Sequence, residues 1–388
     1  MKNSLPRYEL NHKNTTINAR QLAFFIAFFL PMGKLLELPS RLTSYAGGDL
    51  LIAALVGLVM EGLAISSVLL FCKRTRLSPL HFIEVKFGKP TASVVRLLYA
   101  FFLLLFATLP LFDLEKFSHA AFSDTSPTFF VFTPFFLLCG FICLRGIQSI
   151  GRVSDLTPVL FLLPIVGLMA MAVGQADFSR LLPVMEKSLS VSIKACWKTL
   201  PYFSFGGLFL PLCSGYQYEQ GDEKKLLPAL AVGAFLTLLF LAVFFSVFGL
   251  LGAKEHFAVM KIAQFFPALK FVGRIDLLLV YTLSICLMYY TAFPLQLFTQ
   301  LFTDSLSLKS KLPTAVSLSV ALYFLVLFGN KYTTRIHSYF ISYLPPIFLL
   351  FSALLPLLFL IFSIKKDTGR ASTKAPKRQT IKGNDDER

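Results

Sequence analysis

Two hydrophobic stretches decide the fold of this chain: FFIAFFLPMGKLLELP, residues 24–39, and LPYFSFGGLFLP, residues 200–211. Each places proline or glycine where a membrane-spanning helix would otherwise continue. In lipid an unpaired backbone group costs several kcal/mol, so a broken span persists only where protein or a water-filled cavity satisfies it. Matching interruptions in two parts of a membrane protein therefore indicate a solute site near the midplane of the bilayer.

The composition is that of a polytopic membrane protein. Hydrophobic residues make up 55% of the 388 residues and charged residues only 15%, whereas soluble domains carry about 25% charged residues. The apolar runs are long enough to cross about 30 Å of hydrocarbon. The pattern predicts ten spans near 20–39, 50–71, 94–112, 128–145, 156–174, 198–213, 226–251, 275–299, 312–329 and 338–364.

The basic residues indicate the orientation in the membrane. Short loops rich in Lys and Arg stay on the cytoplasmic side. The loop between the second and third predicted spans is the strongest indicator of orientation, because it contains six basic residues: Lys73, Arg74, Arg76, Lys86, Lys89 and Arg96. We therefore expect both termini to be cytoplasmic. The net charge of +16 is explained by the basic residues that set the topology and that attract anionic lipid of the bilayer. We therefore expect no nucleic-acid partner.

The spans divide the chain into two similar halves. We predict a cytoplasmic N-terminal tail at 1–18, a ten-span domain at 19–364, and a basic, disordered cytoplasmic tail at 365–388. Within the domain, the halves cover about 19–175 and 196–364, and each begins with a broken span. Because five spans per half place the halves in opposite orientations, the prediction is an all-α membrane protein with a 5+5 inverted repeat.

Among the charged residues within the predicted spans, three are candidates for a functional site. Lys34 lies in the first break, Glu37 follows one turn later, and Glu61 is central in the second span. Ionisable groups at such depth cost about 2.5–3.5 kcal/mol and usually face the bundle interior. One interpretation pairs Lys34 with Glu37 or Glu61; another has these residues hold a charged solute or sense its protonation, with Glu61 as a coupling group.

The glycines of the breaks also allow two interpretations. Gly33, Gly206 and Gly207 let the backbone unwind and approach a ligand without a Cβ in the way. The half-helix after each break offers free N–H groups and a positive dipole end suited to a carboxylate. The alternative is close helix packing, which is common for glycine in membranes.

No other catalytic or metal-binding pattern emerges. The sequence lacks a phosphate-binding Gly-Lys-Ser loop, a Ser/His/Asp grouping and a zinc-spaced His cluster, and its six cysteines lie mostly in or beside spans. We expect neither an enzyme nor a bound metal or cofactor. Alternating apolar residues between 175 and 197 predict a short amphipathic helix on the outer surface, and Asp49 is expected to cap the second span.

Local patterns resemble those of the spore-germination permeases, the B subunits of nutrient germinant receptors in the amino acid–polyamine–organocation superfamily. The similar elements are Ile17–Leu22, Leu38–Ser40 with Ala46–Asp49, Gly146–Arg152 and Leu182–Glu186. The resemblance covers about residues 16–364. It departs from the family pattern at Asp49-Leu50-Leu51, where Asp-Ala-Trp is common, and at Lys34, where small residues are usual.

This resemblance implies a leucine-transporter-like fold with broken helices 1 and 6. It also implies a protein of the spore inner membrane that works with an A-type membrane subunit and a C-type lipoprotein. The small-molecule nutrient, often an amino acid, would bind between the breaks. By position, that pocket comprises Met32, Gly33, Lys34, Ser204, Phe205, Gly206 and Gly207. Lys34 would either pair with the carboxylate of an amino acid or occupy the place of its ammonium.

Three functions remain open at this point. The chain is a receptor whose nutrient shifts a conformational equilibrium read by partner subunits, a proton- or sodium-coupled transporter of amino acids or amines, or a scaffold with a vestigial pocket. Coupling usually requires an ionisable group beside the site. The predicted spans five, nine and ten carry none, which favours the receptor.

Overall fold

A computed structural model of the chain describes residues 17–122, 128–183, 185–216, 218–265 and 275–370. The regular structure in these ranges is helical, apart from a single bridge between Ile17 and Tyr216. The helices are α1 (Ala19–Met32), α2 (Leu38–Ala46), α3 (Leu50–Thr75), α4 (Pro79–Phe87), α5 (Lys89–Phe122), α6 (Thr128–Leu144), α7 (Gln148–Val173), α8 (Leu189–Lys198), α9 (Phe205–Leu212), α10 (Glu223–Phe248), α11 (Ala258–Phe265), α12 (Ile275–Ser305), α13 (Leu312–Gly329), α14 (Thr333–Tyr343) and α15 (Pro345–Leu349 continuing through Leu350–Leu354 to Leu355–Arg370).

The helices fit the ten predicted spans. Seven helical stretches in the described residues are long and apolar enough to cross a membrane, counting α2 and α3 as one stretch. Two shorter apolar helices occur at Ala19–Met32 and Thr133–Leu144. The remaining predicted span is built from α8 and α9. The chain is therefore a multi-pass membrane protein.

The first span is interrupted between α1 and α2. Residues 33–37 are not helical, and α2 starts at Leu38 with Pro39 in its first turn. Proline suits the first turn because its missing N–H would have no partner there. A π-helical segment, Phe25–Phe29, lies within α1, where it packs against α10 at Gly233.

The sixth predicted span is also interrupted, but its first half differs from the prediction. The helix expected on the outer surface is α8, which begins at Leu189 and packs against α2 and α3. A 3₁₀ turn, Leu200–Phe203, and the non-helical Ser204 then separate α8 from α9. An amphipathic pattern suits either position, since a half-helix inside a bundle also buries only one face.

Two further predictions concern the residues at the ends of the bundle: the cap of α3 and the two tails. Asp49 occupies the predicted N-cap position of α3, but its side chain makes no capping hydrogen bond. Its carboxylate instead accepts the N–H groups of Glu186 and Lys187 at 3.1 and 2.7 Å and so holds a connecting loop. The predicted tails fall largely outside the described residues, at 1–16 and 371–388, and α15 continues to Arg370.

Candidate functional site

One carboxylate connects the two helix breaks. The Nζ of Lys34 lies 2.9 Å from Oε2 and 3.2 Å from Oε1 of Glu61, and it also donates to the carbonyl of Leu30 at 2.9 Å. Oε1 of Glu61 in turn accepts the backbone N–H of Phe205 at 3.0 Å. Both side chains are buried. The interpretation that Lys34 pairs with Glu61 describes the observed geometry, and Glu37 takes other partners.

The N-terminus of α9 therefore already binds a carboxylate of the protein itself. The first N–H of a helix and its positive dipole end stabilise a negative charge, and Glu61 supplies that charge to Phe205. The aromatic ring of Phe205 packs on Phe25 and Phe29, with centroids 5.6 and 5.8 Å away. Lys34 and the start of α9 thus hold the two breaks together through α3.

The glycines of the second break lie in tight helix contacts. A Cβ on Gly206 would stand 2.5 Å from the carbonyl oxygen of Ser352, and one on Gly207 would stand 2.5 Å from the ring of Phe102. Both glycines are in the first turn of α9, after the break itself. In this structure both glycines therefore allow close helix packing, as the second interpretation expects.

The remaining predicted residues lie around this centre. Ser204 is buried, and its hydroxyl donates to the carbonyl of Leu200 at 2.8 Å. Met32 is buried beside a small apolar gap that it shares with Leu35 and Phe161. Gly33, in contrast, borders a cavity between the two breaks, where a Cβ would meet the ring of Tyr290 at 2.1 Å.

This cavity, called the central cavity below, is bounded by both breaks and by α5, α12 and α15. Its walls include Gly33, Leu36, Asp113, Tyr202, Tyr290 and Thr291. About 20 Å³ is open to the centre of a water molecule, which is room for one or two waters. A larger solute can bind here only if side chains or half-helices move outward.

The central cavity combines apolar walls with a few polar groups. Asp113 supplies a carboxylate from α5. The hydroxyl of Tyr202 is buried and has no hydrogen-bond partner among the described residues. Thr291 uses its hydroxyl within α12, donating to Leu287. A mostly apolar pocket with a small number of placed polar groups is typical of a small-molecule site.

A wider cavity, the vestibule, lies at the end of the bundle that the sequence predicts to face outward. About 590 Å³ of it is open to the centre of a water molecule. Its walls include Arg41, Lys116, Trp197, Lys198, His256 and His337. Asp113 of the central cavity bonds to His337 of the vestibule, with Oδ1 3.0 Å from Nε2. This contact therefore borders both spaces.

Glu37 binds cationic groups of the vestibule. Its carboxylate lies 3.3 Å from Nε of Arg41 and 3.4 Å from Nδ1 of His256. The hydrogen bond to Glu37 raises the pKa of His256 above its ordinary value, against opposing effects of burial and of the charges on Arg41 and Lys116. Glu37 is thus a structural counter-charge for α2 and for the loop before α11.

Sequence reasoning missed Asp113, Tyr202 and His337. Asp113 directly follows the predicted span 94–112, and His337 directly precedes the predicted span 338–364. A charged residue at the edge of an apolar run looks like a loop residue on hydropathy alone. In the structure α5 and α14 continue past these residues, and both side chains are buried.

Comparison with known proteins identifies a matching family and similar solved structures. A family model described as "Spore germination protein" matches residues 16–364. No curated protein matches the sequence. The crystal structure of MhsT in complex with L-phenylalanine is similar, with a TM-score of 0.58 and 12% identity over 88% of this chain and 98% of that one. A mutant manganese transporter from Eremococcus coleocola has a TM-score of 0.48 and 13% identity over 91% of this chain and 77% of that one.

The similarity to MhsT confirms the predicted fold class, an all-helical, leucine-transporter-like membrane protein, and the structure shows the breaks in helices 1 and 6. The matched family and this fold consist of non-enzymatic membrane proteins.

Proposed function

Because the chain belongs to the spore germination protein family, we propose that it is the B subunit of a nutrient germinant receptor. In this proposal it binds a small nutrient, an amino acid, in the central cavity and triggers germination through partner subunits. The observation that carries the proposal is the position of that cavity, between the two helix breaks and beside Gly33. A solute site at interrupted spans is the arrangement that such folds use.

The chemistry of the central cavity suits an amino acid with an apolar side chain. Oδ1 of Asp113 is paired with His337, which leaves the other carboxylate oxygen to accept the ammonium group. The unpartnered hydroxyl of Tyr202 can hydrogen-bond a polar atom of the ligand. Leu36 and the ring of Tyr290 offer apolar surface to the side chain. Lys34 is not part of this recognition in our proposal, since Glu61 and Leu30 already occupy its ammonium group.

The narrowness of the cavity supports sensing. A ligand larger than two waters must stabilise a conformation wider than the one seen here, and a ligand shifts an equilibrium only by binding one state better than the other. The half-helices α2 and α8 adjoin the breaks and line the vestibule through Arg41 and Lys198. Their outward movement is the conformational signal that we propose for the partner subunits.

The finer assignments follow from the sequence and the family. The partners in this proposal are an A-type membrane subunit and a C-type lipoprotein, and the location is the spore inner membrane. Both termini are cytoplasmic by the distribution of Lys and Arg. The vestibule then faces away from the cytoplasm, toward the side from which nutrients arrive.

A coupled transporter of amino acids or amines is the second candidate. Glu61 favours it, because a buried ionisable group bound to both breaks through Lys34 and Phe205 is positioned to couple protonation to their movement. In that reading the Lys34–Glu61 pair opens in each transport cycle.

Binding and uptake of the twenty labelled L-amino acids by purified full-length protein in liposomes test the proposal. Saturable binding without accumulation is the expected result for a receptor. Accumulation driven by an imposed proton or sodium gradient would instead establish the transporter. If no amino acid of the panel binds, the assigned ligand class is wrong.

A further inference from the structure

The vestibule carries an excess of positive charge that the central cavity does not explain. Its walls hold Arg41, Lys116, Lys198, His256 and His337, and no carboxylate is among its lining residues in the described part of the chain. These five residues come from five different elements: α2, α5, α8, the loop before α11, and α14. The charge is therefore a property of the assembled cavity rather than of one helix face.

Two of these cations have no acidic partner. The carboxylate of Glu37 contacts Arg41 and His256, and the carboxylate of Asp113 contacts His337. Neither Lys116 nor Lys198 has a carboxylate within 4.0 Å in the ranges that the structure describes, and the ammonium of Lys198 lies over the ring of Tyr45, 4.6 Å from its centroid. Like charges gathered in a cleft with low-dielectric walls raise the local concentration of counter-ions.

We propose that the vestibule is a second ligand site, which binds a small carboxylate anion between Lys116 and Lys198. Trp197 and Tyr45 also line it, so an anion with an aromatic or other apolar portion fits better than a bare inorganic ion. This site is separate from the central cavity, because the Asp113–His337 pair lies between the two spaces.

The placement of the cations gives the anion a structural effect. Lys198 is on α8 and Arg41 on α2, the two half-helices next to the breaks, whereas Lys116 is on α5. A carboxylate held by these groups offsets their mutual repulsion and draws both half-helices toward α5. Because linkage is reciprocal, occupancy of the vestibule changes the affinity of the central cavity by the same factor by which the cavity ligand changes the affinity for the anion.

Trp197 provides a direct probe, since it is the only tryptophan in the sequence and it lines the vestibule. The experiment titrates the full-length protein, in liposomes of neutral lipid, with sodium benzoate at constant ionic strength and follows tryptophan emission. Benzyl alcohol, which has the ring but no charge, serves as the ligand control. We expect a saturable change with benzoate and none with benzyl alcohol.

Charge-removal variants locate the binding. Lys116→Gln combined with Lys198→Gln should weaken benzoate binding at least tenfold. Lys194→Gln, on the same helix α8 but outside the vestibule lining, should leave it unchanged. No saturable change in the parent protein, or equal affinity in the double variant, would overturn the proposal. Thermal melting of each variant shows that the comparison is made between folded proteins.

A competition arm identifies the source of the carboxylate. Displacement of a bound labelled amino acid by benzoate, together with weaker binding of that amino acid in the Lys116→Gln/Lys198→Gln variant, would show that the nutrient itself occupies the vestibule through its carboxylate. Unchanged amino-acid binding in that variant would show a site for a separate organic anion, which acts on the central cavity only through linkage. The Gly33→Ala variant, altered only in the central cavity, should keep benzoate binding, so a failure of the proposed nutrient site is distinguishable from a failure of this one.

Discussion

The ammonium of Lys34 and the carboxylate of Glu61, 2.9 Å apart and both buried, join the interruption of the first span to the middle of the next helix. Glu61 also accepts the N–H of Phe205, so one side chain organises both breaks. A lysine within the span is tolerable because its partner is placed for it.

Removing one partner of this pair should be costly. Lys34→Met leaves Glu61 as an uncompensated buried charge, and we expect a loss of about 3–5 kcal/mol in the free energy of unfolding. Adding Glu61→Gln should restore much of this loss, because a glutamine carbonyl still accepts the N–H of Phe205. The measurement is the thermal melting midpoint of purified protein in detergent. Equal midpoints for Lys34→Met and the parent protein would contradict the structural role of the pair.

The contact between Gly33 and Tyr290 predicts the behaviour of the central cavity. A Cβ on Gly33 would lie 2.1 Å from the Tyr290 ring, so Gly33→Ala should push that ring into the cavity and weaken amino-acid binding about tenfold, or 1.4 kcal/mol. The measurement is binding of the best amino acid of the panel to protein in liposomes.

A second substitution separates blocked space from general damage. Tyr290→Leu removes the ring, so the double variant with Gly33→Ala should regain part of the lost affinity. If the double variant binds no better than Gly33→Ala, the ring of Tyr290 is not what limits the cavity.

The glycine of the second break should matter for packing. Gly206→Ala places a methyl group 2.5 Å from the backbone oxygen of Ser352 and 2.8 Å from Cβ of Ala64, and such overpacking costs about 1–3 kcal/mol. Gly167→Ala is the matched control, since a Cβ there would have nothing within 4 Å. Thermal melting should show a lower midpoint for Gly206→Ala only; a shared small effect would remove the packing interpretation.

The sequence predicted the architecture well because its most informative features are ones that cost free energy in a membrane and therefore need a specific structural explanation. Interruptions at Pro31-Met32-Gly33 and around Ser204 are costly in lipid, and a buried Lys34 requires a counter-charge. Those constraints predict the broken helices, and they offer Glu37 or Glu61 as the partner of Lys34, of which the structure shows Glu61.

Other features depend on what faces a residue, which no single sequence shows. Gly206 suits a ligand approach or a helix contact equally until Ser352 and Ala64 are seen beside it. Asp113 and His337 stand at the edges of apolar runs, and their pairing joins residues far apart in the sequence. The sequence therefore predicts a site between the breaks, where the structure has the central cavity, but it does not predict several of the residues that line that cavity.

The raised pKa of His256 predicts a pH dependence of anion binding in the vestibule. Glu37 holds the proton on His256, whereas the nearby Arg41 and Lys116 oppose it. Protonated His256 adds positive charge to the vestibule, so benzoate should bind more tightly below this raised pKa and more weakly as pH rises through it.

The expected change for His256 is about fivefold, since the charge is partly screened by solvent. His256→Gln should flatten that part of the profile. A profile that is the same in His256→Gln and the parent would exclude His256 as a source of the effect. Tryptophan emission during benzoate titration at several pH values provides the data.

Asp113 should affect the two cavities in opposite directions. In the central cavity its carboxylate is the proposed partner of the ligand's ammonium, so Asp113→Asn should weaken amino-acid binding by about tenfold or more, the loss typical of a charged hydrogen bond of 1.5–3 kcal/mol. The same carboxylate lies 3.0 Å from Nε2 of His337, at the edge of the vestibule. Its removal should tighten benzoate binding several-fold, because the anion loses a nearby negative charge. A variant that merely misfolds loses both activities, whereas only a residue shared by two distinct sites gives a loss at one and a gain at the other. If both affinities fall together while the melting midpoint is unchanged, the assignment of Asp113 to the boundary between the sites is wrong.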